Sequence, residues 1–438
     1  MTLRLLPLTL SLAAVLTGAA QAQSLVQLYE AAKGYDASFK AAQSQYQANL
    51  AKAEQAKALL RPTAGMGATL SESDYANQLN ATGDARFGTR IATLSASQPL
   101  FRPANAAGYR QGLKQADLAQ AQLKTAEQDL IVRVSQAYFD VLTAQESLAF
   151  VKAQKIAVSE QLAAAKRNFE VGTSTITDTR EAQARFDLVT AQEIAAENDL
   201  RVKKLALDQS VGTQNAQPVA IKSGANLAPA ANGDVQTWVQ QATEQNPGIA
   251  QARVALEVAQ LETEKAKAGH MPTLDLTASF GATRYRNGNL TSRVDNNVGT
   301  VGLSFNVPLY AGHATQNRIQ ETVALEEKAR NDLDAAQRTV AQATRTAFFG
   351  VQSGLGQVKA LEAAEASSQS ALDANKLGYQ VGVRINIDVL NSQSQLFQTK
   401  RDLAKARYDV LLGQLKLSQA AGLLKLEDLQ KVNDLLVK

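Results

Sequence analysis

The chain has 438 residues, with 45 Lys and Arg against 41 Asp and Glu, a formal charge of +4. That excess is spread along the chain without a block of like charges, so no nucleic-acid footprint is indicated. Cysteine is absent, which excludes a disulfide framework, while 9 Pro, 1 Trp and 5% aromatics in an Ala- and Gln-rich text describe long helices.

The first 22 residues read as an export signal. Arg4 gives a positive start, Leu5–Leu16 an apolar stretch too short to span a bilayer, and Ala20-Gln21-Ala22 a small-residue cleavage site. No later segment is apolar for long enough to form a transmembrane helix. A mature chain beginning near Gln23 is therefore expected across the inner membrane.

From there the text repeats itself at an offset of 210. Leu28 faces Trp238, Asp36 faces Asn246, Pro62-Thr63 faces Pro272-Thr273, and Val171-Gly172 faces Val381-Gly382. This places a first repeat at 23–214, a Pro-, Gly- and Asn-rich linker at 215–234, a second repeat at 235–420 and a tail at 421–438. Each repeat reads helix, strand, strand, long helix, break, helix.

The strand regions, about 63–98 and 272–308, show period two. Thr273–Ala282 puts Leu274, Leu276, Ala278 and Phe280 on one face, with Asp275, Thr277 and Ser279 opposite. Thr300–Val307 alternates Val301, Leu303 and Phe305 with polar or small residues. Met66, Ala68 and Leu70, then Leu94 and Ala96, are weaker versions in the first repeat. Each run is near ten residues, enough to cross an outer membrane at a tilt. Two hairpins lying on a soluble helical domain fit the alternation too. Four strands alone cannot close a barrel, whereas three chains giving four each would make twelve, an even number without edges.

After the strands the period changes. Leu130, Val134, Ala137, Val141, Ala144, Leu148 and Val151 step by four and three, miss at Lys155, and resume at Val158, Leu162, Ala165 and Phe169. This heptad seam predicts one helix over 104–169, about 100 Å long, supercoiled against neighbours. "FEVGTSTITD" (Phe169–Asp178) and "YQVGVRINID" (Tyr379–Asp388) then interrupt the helices at equivalent places. Gly172 and Gly382 suit a helix end that needs positive φ.

With the tandem repeat, "MPTLDLTAS" (Met271–Ser279), "VGLSFNVPLYAG" (Val301–Gly312) and "YQVGVRINIDVL" (Tyr379–Leu390), the mature chain resembles the TolC family of outer membrane efflux proteins. The resemblance implies a homotrimer in the outer membrane: a twelve-stranded barrel continued by a twelve-helix periplasmic tunnel. A periplasmic adaptor (membrane fusion protein) and an inner-membrane transporter would dock at its lower end. It implies no cofactor. Pro62, Pro99, Pro272 and Pro308 become the barrel–tunnel junction, with Pro99 and Pro308 ending the outgoing strands. Val171, Gly172, Thr173, Val381, Gly382 and Val383 become the adaptor-docking tips, although a glycine there also serves simply as a helix C-cap.

The same resemblance makes Thr177, Asp178, Tyr379 and Arg384 a latch at the periplasmic entrance, with Arg384 and Asp178 as a charge-assisted pair. A surface ion pair without a gating role fits those two residues equally. Asp388, inward-facing in a trimer, would form a ring of three carboxylates that narrows the pore and favours cations. Asn391 lies on the same helical face, where the family often has a second acid.

Chemistry for catalysis is missing. His270 and His313 are too few for a typical zinc site, and there is no phosphate-binding loop or nucleophile elbow, so no enzymatic activity is expected. The alternative function is a periplasmic adaptor or soluble coiled-coil scaffold, which the duplicated hairpins and membrane-length strands argue against.

Overall fold

The computed structural model describes residues 23–75, 85–222, 234–287 and 293–437. The export signal at 1–22, the middle of each strand-joining loop and most of the 215–234 linker lie outside the described residues. The chain runs α1 (Leu25–Tyr35), α2 (Ala37–Ala58), β1 (Thr63–Tyr75), β2 (Ala85–Phe101), α3 (Pro103–Glu170) and α4 (Ile176–Val211). The order then recurs as α5 (Val235–Gln245), α6 (Pro247–Lys267), β3 (Thr273–Asn287), β4 (Arg293–Asn306), α7 (Ala314–Gln380) and α8 (Asn386–Ala420), with α9 (Leu426–Asn433) added. Among the described residues no helix is long and apolar enough to cross a membrane.

Two compact units form, and each draws on both repeats. One contains Ala42–Leu123 and Pro247–Gln337. Its sheet has the order β1-β2-β3-β4, antiparallel throughout. Strands of 13, 17, 15 and 14 residues exceed the ten-residue runs expected, because pairing continues past the apolar alternation into charged text. Register aligns the two faces across strands. Met66, Leu94 and Phe280 share one row, and Leu276 lies beside Leu303. On the opposite face Gly65, Ser95, Ser279 and Thr300 share a row. The apolar face stops at Leu70, where its partners along the row are Arg90, Arg284 and Asp295.

Charged pairs hold the helices of this unit together. Glu262 of α6 accepts from Gln111 of α3 at 2.8 Å and from Arg318 of α7 at 2.7 Å. Burial works against its charge, but these donors outweigh it and keep the carboxyl below its usual range.

The other unit contains residues up to Ala41, Lys124–Asn246 and Arg338 onwards. The heptad seam of α3 is its core. Leu130, Val134, Val141, Ala144, Val151, Val158, Leu162 and Ala165 are buried, while Phe169 at the end of the series is exposed. The miss at Lys155 has a local cause: its Nζ meets Glu193 at 2.5 Å and lies over the Phe186 ring. Periodicity did not reveal the extra width of the core around Tyr138 and Phe139, which are also buried. There Tyr138 donates to the carbonyl of Val219 at 2.8 Å and accepts its N–H at 2.9 Å. That fastens the 215–222 segment, which also bridges Leu436 of the tail.

Both repeats break their opening helix at one place. Asp36 ends α1 and caps α2 by accepting from the N–H of Phe39 at 2.7 Å. Its counterpart Asn246 ends α5 before Pro247, whose fixed φ suits a first helical position.

Candidate functional site

The two interruptions are a pair of matching turns. α3 closes with Thr173 N–H donating to Asn168 O at 2.8 Å and Gly172 N–H to Phe169 O at 3.0 Å. α7 closes with Val383 N–H to Gly378 O at 2.9 Å and Gly382 N–H to Tyr379 O at 3.1 Å. These are complete Schellman motifs, with φ of 76° at Gly172 and 78° at Gly382. Val171, Val381 and Val383 project beyond them at 72%, 65% and 76% exposure. Thr173 is exposed as well. Apolar side chains held on rigid turns form small, defined contact surfaces.

Past the turns the copies differ. Thr175 and Asp178 form a capping box on α4: Asp178 N–H donates to Thr175 Oγ1 at 3.2 Å, and Thr175 N–H to Asp178 Oδ2 at 3.0 Å. Ile385 at the start of α8 has no side chain that can cap. The Arg384–Asp178 pair expected from the sequence is therefore not made within the chain. Asp178 is committed to its own helix, and Arg384 pairs with Asp388 at 3.7 Å, one turn along. Thr177 is exposed and makes no side-chain hydrogen bond among the described residues.

Two other gate positions reach across to the first hairpin. Tyr379, half-buried against Leu372, Val389 and Leu396, accepts from Asn168 Nδ2 at 3.0 Å. Asn391 accepts from Arg185 Nη2 of α4 at 2.8 Å. Asp388 and Asn391 thus take different partners despite sharing a helical face. Asn168 and Arg185 had no signal in the sequence, since polar residues on a helix look solvated until a neighbour is placed.

In the sheet unit, Pro62 and Pro272 immediately precede β1 and β3, and Pro308 follows β4. Pro99 does not end its strand. β2 continues to Phe101 across a register shift, and Pro99 lies beyond the last β1 pairing, at Ser97, so its missing N–H leaves no ladder bond unmade on that side. Arg102, just after β2, grips Asp275 of β3 through Nε–Oδ1 at 2.8 Å and Nη2–Oδ2 at 2.6 Å. His313, with φ of 65°, stands edge-on to Tyr310 at 5.7 Å. Among the described residues no cluster of three or more metal-ligating side chains occurs.

A sheet apolar on one face and polar on the other, in a chain of duplicated long-helix hairpins, defines a subunit of an outer membrane export channel. The sequence model of the outer membrane efflux protein family matches twice, over residues 28–213 and 238–423. The outer membrane protein TolC of Vibrio cholerae is 32% identical over 98% of both chains. The alkaline protease secretion protein AprF of Pseudomonas aeruginosa is 32% identical over 80% of this chain and 73% of its own. The crystal structure of the outer membrane protein VceC from Vibrio cholerae shares the fold, with a TM-score of 0.79, 20% identity and coverage of 91% and 96%. The chain belongs to the outer membrane efflux protein family. Its place is the outer membrane, and the alternative of a periplasmic adaptor or soluble coiled-coil scaffold falls away.

Proposed function

We propose that three copies of this chain close edge to edge into a twelve-stranded barrel and a helical periplasmic conduit. This assembly is the passive exit duct of a tripartite efflux pump or type I secretion system. The tips at Val171–Thr173 and Val381–Val383 receive a periplasmic adaptor, and through it an inner-membrane transporter delivers cargo. Residues 1–22 are removed on export, 23–214 and 235–420 are the repeats, and 215–234 with 421–438 belong to a belt.

The observation that carries this reading is the pair of open sheet edges. Among the described residues β1 and β4 each pair on one side only, yet they are 13 and 14 residues long. Long apolar edges demand a partner, and membrane interiors offer none except another strand. β4 of one copy meeting β1 of the next satisfies both edges around a closed ring.

Two exposed helix seams support the same assembly. On α4, Ala184, Leu188, Ala191, Ala195, Val202 and Leu205 fall at heptad spacing and face outward. On α7, Thr346, Gly350, Ser353, Gln357, Ala360 and Ser367 make an exposed seam of mostly small residues. Large side chains on one seam fit the shallow other, as knobs in holes. The relative named for alkaline protease secretion supports protein export among the cargoes.

Purified protein in detergent should have the mass of three chains and form conducting channels in planar bilayers. Monomers without conductance would overturn the assembly.

A further inference from the structure

We propose that two opposed arginines at the outer end of the sheet's apolar face bind the phosphate of an outer-leaflet lipid headgroup. The inference rests on the channel reading, which puts the helices in the periplasm and the strand-joining loops outside.

Leu70, Arg90, Arg284 and Asp295 share one row across the four strands, on the side that carries Met66, Leu94 and Phe280. From Leu274 to Arg284 strand β3 climbs roughly 33 Å, or about 25 Å of height at the usual tilt. That matches the apolar band of outer membrane barrels, so both guanidiniums stand where hydrocarbon gives way to headgroups. The row before, Ala68, Ala92, Ala282 and Asn297, carries no charge. The row beyond is Glu72, Gly88, Arg286 and Arg293. Two rows at the far edge of an apolar side thus hold four arginines against two carboxylates.

The sheet by itself leaves this row unsatisfied. Arg90 and Arg284 are direct cross-strand partners, and like charges placed opposite each other repel. Both are exposed, and Arg90 makes no hydrogen bond or ion pair among the described residues. Arg284 meets Asp295 with Nε to Oδ2 at 3.8 Å, both side chains more than half exposed. Such a pair is loose and readily screened. An anion seated between the guanidiniums removes the repulsion and engages donors that the protein leaves unused.

Phosphate suits the site because its oxygens accept from two planar forks at once. A lipid supplies it because of the side on which the row lies. The opposite side, with Gly65, Ser95, Ser279 and Thr300, is the polar one that suits a lumen. The apolar side meets acyl chains, and the glycolipids of an outer leaflet carry their phosphates just above those chains.

The test melts purified full-length protein in detergent, with and without lipid A. Lipid A should raise the melting temperature of the parent, and native mass spectrometry should find it bound. In Arg90→Gln with Arg284→Gln, affinity for lipid A should fall about tenfold or more per arginine. Without lipid that variant should melt at the parent's temperature or higher, because the repulsion is gone. Arg90→Lys with Arg284→Lys should keep part of the binding. Equal protection of the parent and the double glutamine variant, or equal protection by lipid A stripped of phosphate, would overturn the site. Inorganic phosphate that protects as well as lipid A would overturn the lipid as its source. A double glutamine variant that melts well below the parent without lipid would make the arginines structural and overturn the proposal. A parent protein that does not conduct in planar bilayers would instead overturn the channel reading.

Discussion

Arg102 and Asp275, 173 residues apart, meet in a two-pronged bond, Nε to Oδ1 at 2.8 Å and Nη2 to Oδ2 at 2.6 Å. The guanidinium stands between the end of β2 and the start of α3, and the carboxylate is the third residue of β3. One fork thus joins the two repeats where strand turns into helix. Its planarity fixes direction as well as distance, which lysine could not do.

Arg102→Ala would leave Asp275, 7% exposed, without its charged partner. A loss of roughly 1.5–3 kcal/mol is expected, as for other hydrogen bonds to charged groups. The proposed trimer should dissociate at a lower temperature on semi-native gels, and Arg102→Lys should restore only part of the difference. Equal melting of all three proteins would mean that the fork is not structural.

At the tips, Gly172→Ala and Gly382→Ala each force a side chain into positive φ at a site with open space around it. Each should therefore cost only about 1 kcal/mol and leave the proposed trimer intact. Recovery of the adaptor in co-purification should nevertheless fall, most in the double variant, because Val171, Val381 and Val383 are re-aimed. Full recovery would separate the tips from docking.

Asp388→Asn breaks an exposed pair with Arg384 at 3.7 Å, so its effect on stability should stay within about 1 kcal/mol. In the proposed trimer three Asp388 carboxylates would become three amides, so multivalent cations should block the variant less than the parent in bilayers. Identical block would show that Asp388 does not face the lumen.

Tyr29, Tyr138 and Tyr408 are all held above the ordinary tyrosine range, first by burial and then, for Tyr29 and Tyr408, by the nearby Glu127 and Glu146. A raised folded value means that the neutral phenol is the native form. The stability it contributes is complete below about pH 10, the unfolded value, and is lost as pH rises through the folded values. Denaturant midpoints should be flat from pH 8 to 10 and then fall, in step with tyrosinate absorbance. A Tyr138→Phe variant should be weaker even at neutral pH, because both polar groups of Val219 lose their partner.

Much of this was legible beforehand for reasons that act over short distances. The heptad at Leu130–Val151 and the alternation at Leu274–Phe280 repeat with the period of their own backbones. Gly172 and Gly382 announced turns because few other residues accept their φ. Pro99 misleads, since a missing N–H suggests a strand end. It matters only where a partner strand is present, and β1 has already finished.

By itself, then, the sequence determined the duplication, the type of each element and the face each would bury, because propensity and period are settled among residues a few positions apart. Tertiary structure alone decided that Asn391 meets Arg185 across 206 residues and that Gln161 finds Asn386 across 225 residues. The physical reason is register. A polar side chain on a long helix can meet any residue that the neighbouring helix brings within about 3 Å, and only the packed chain selects which one arrives.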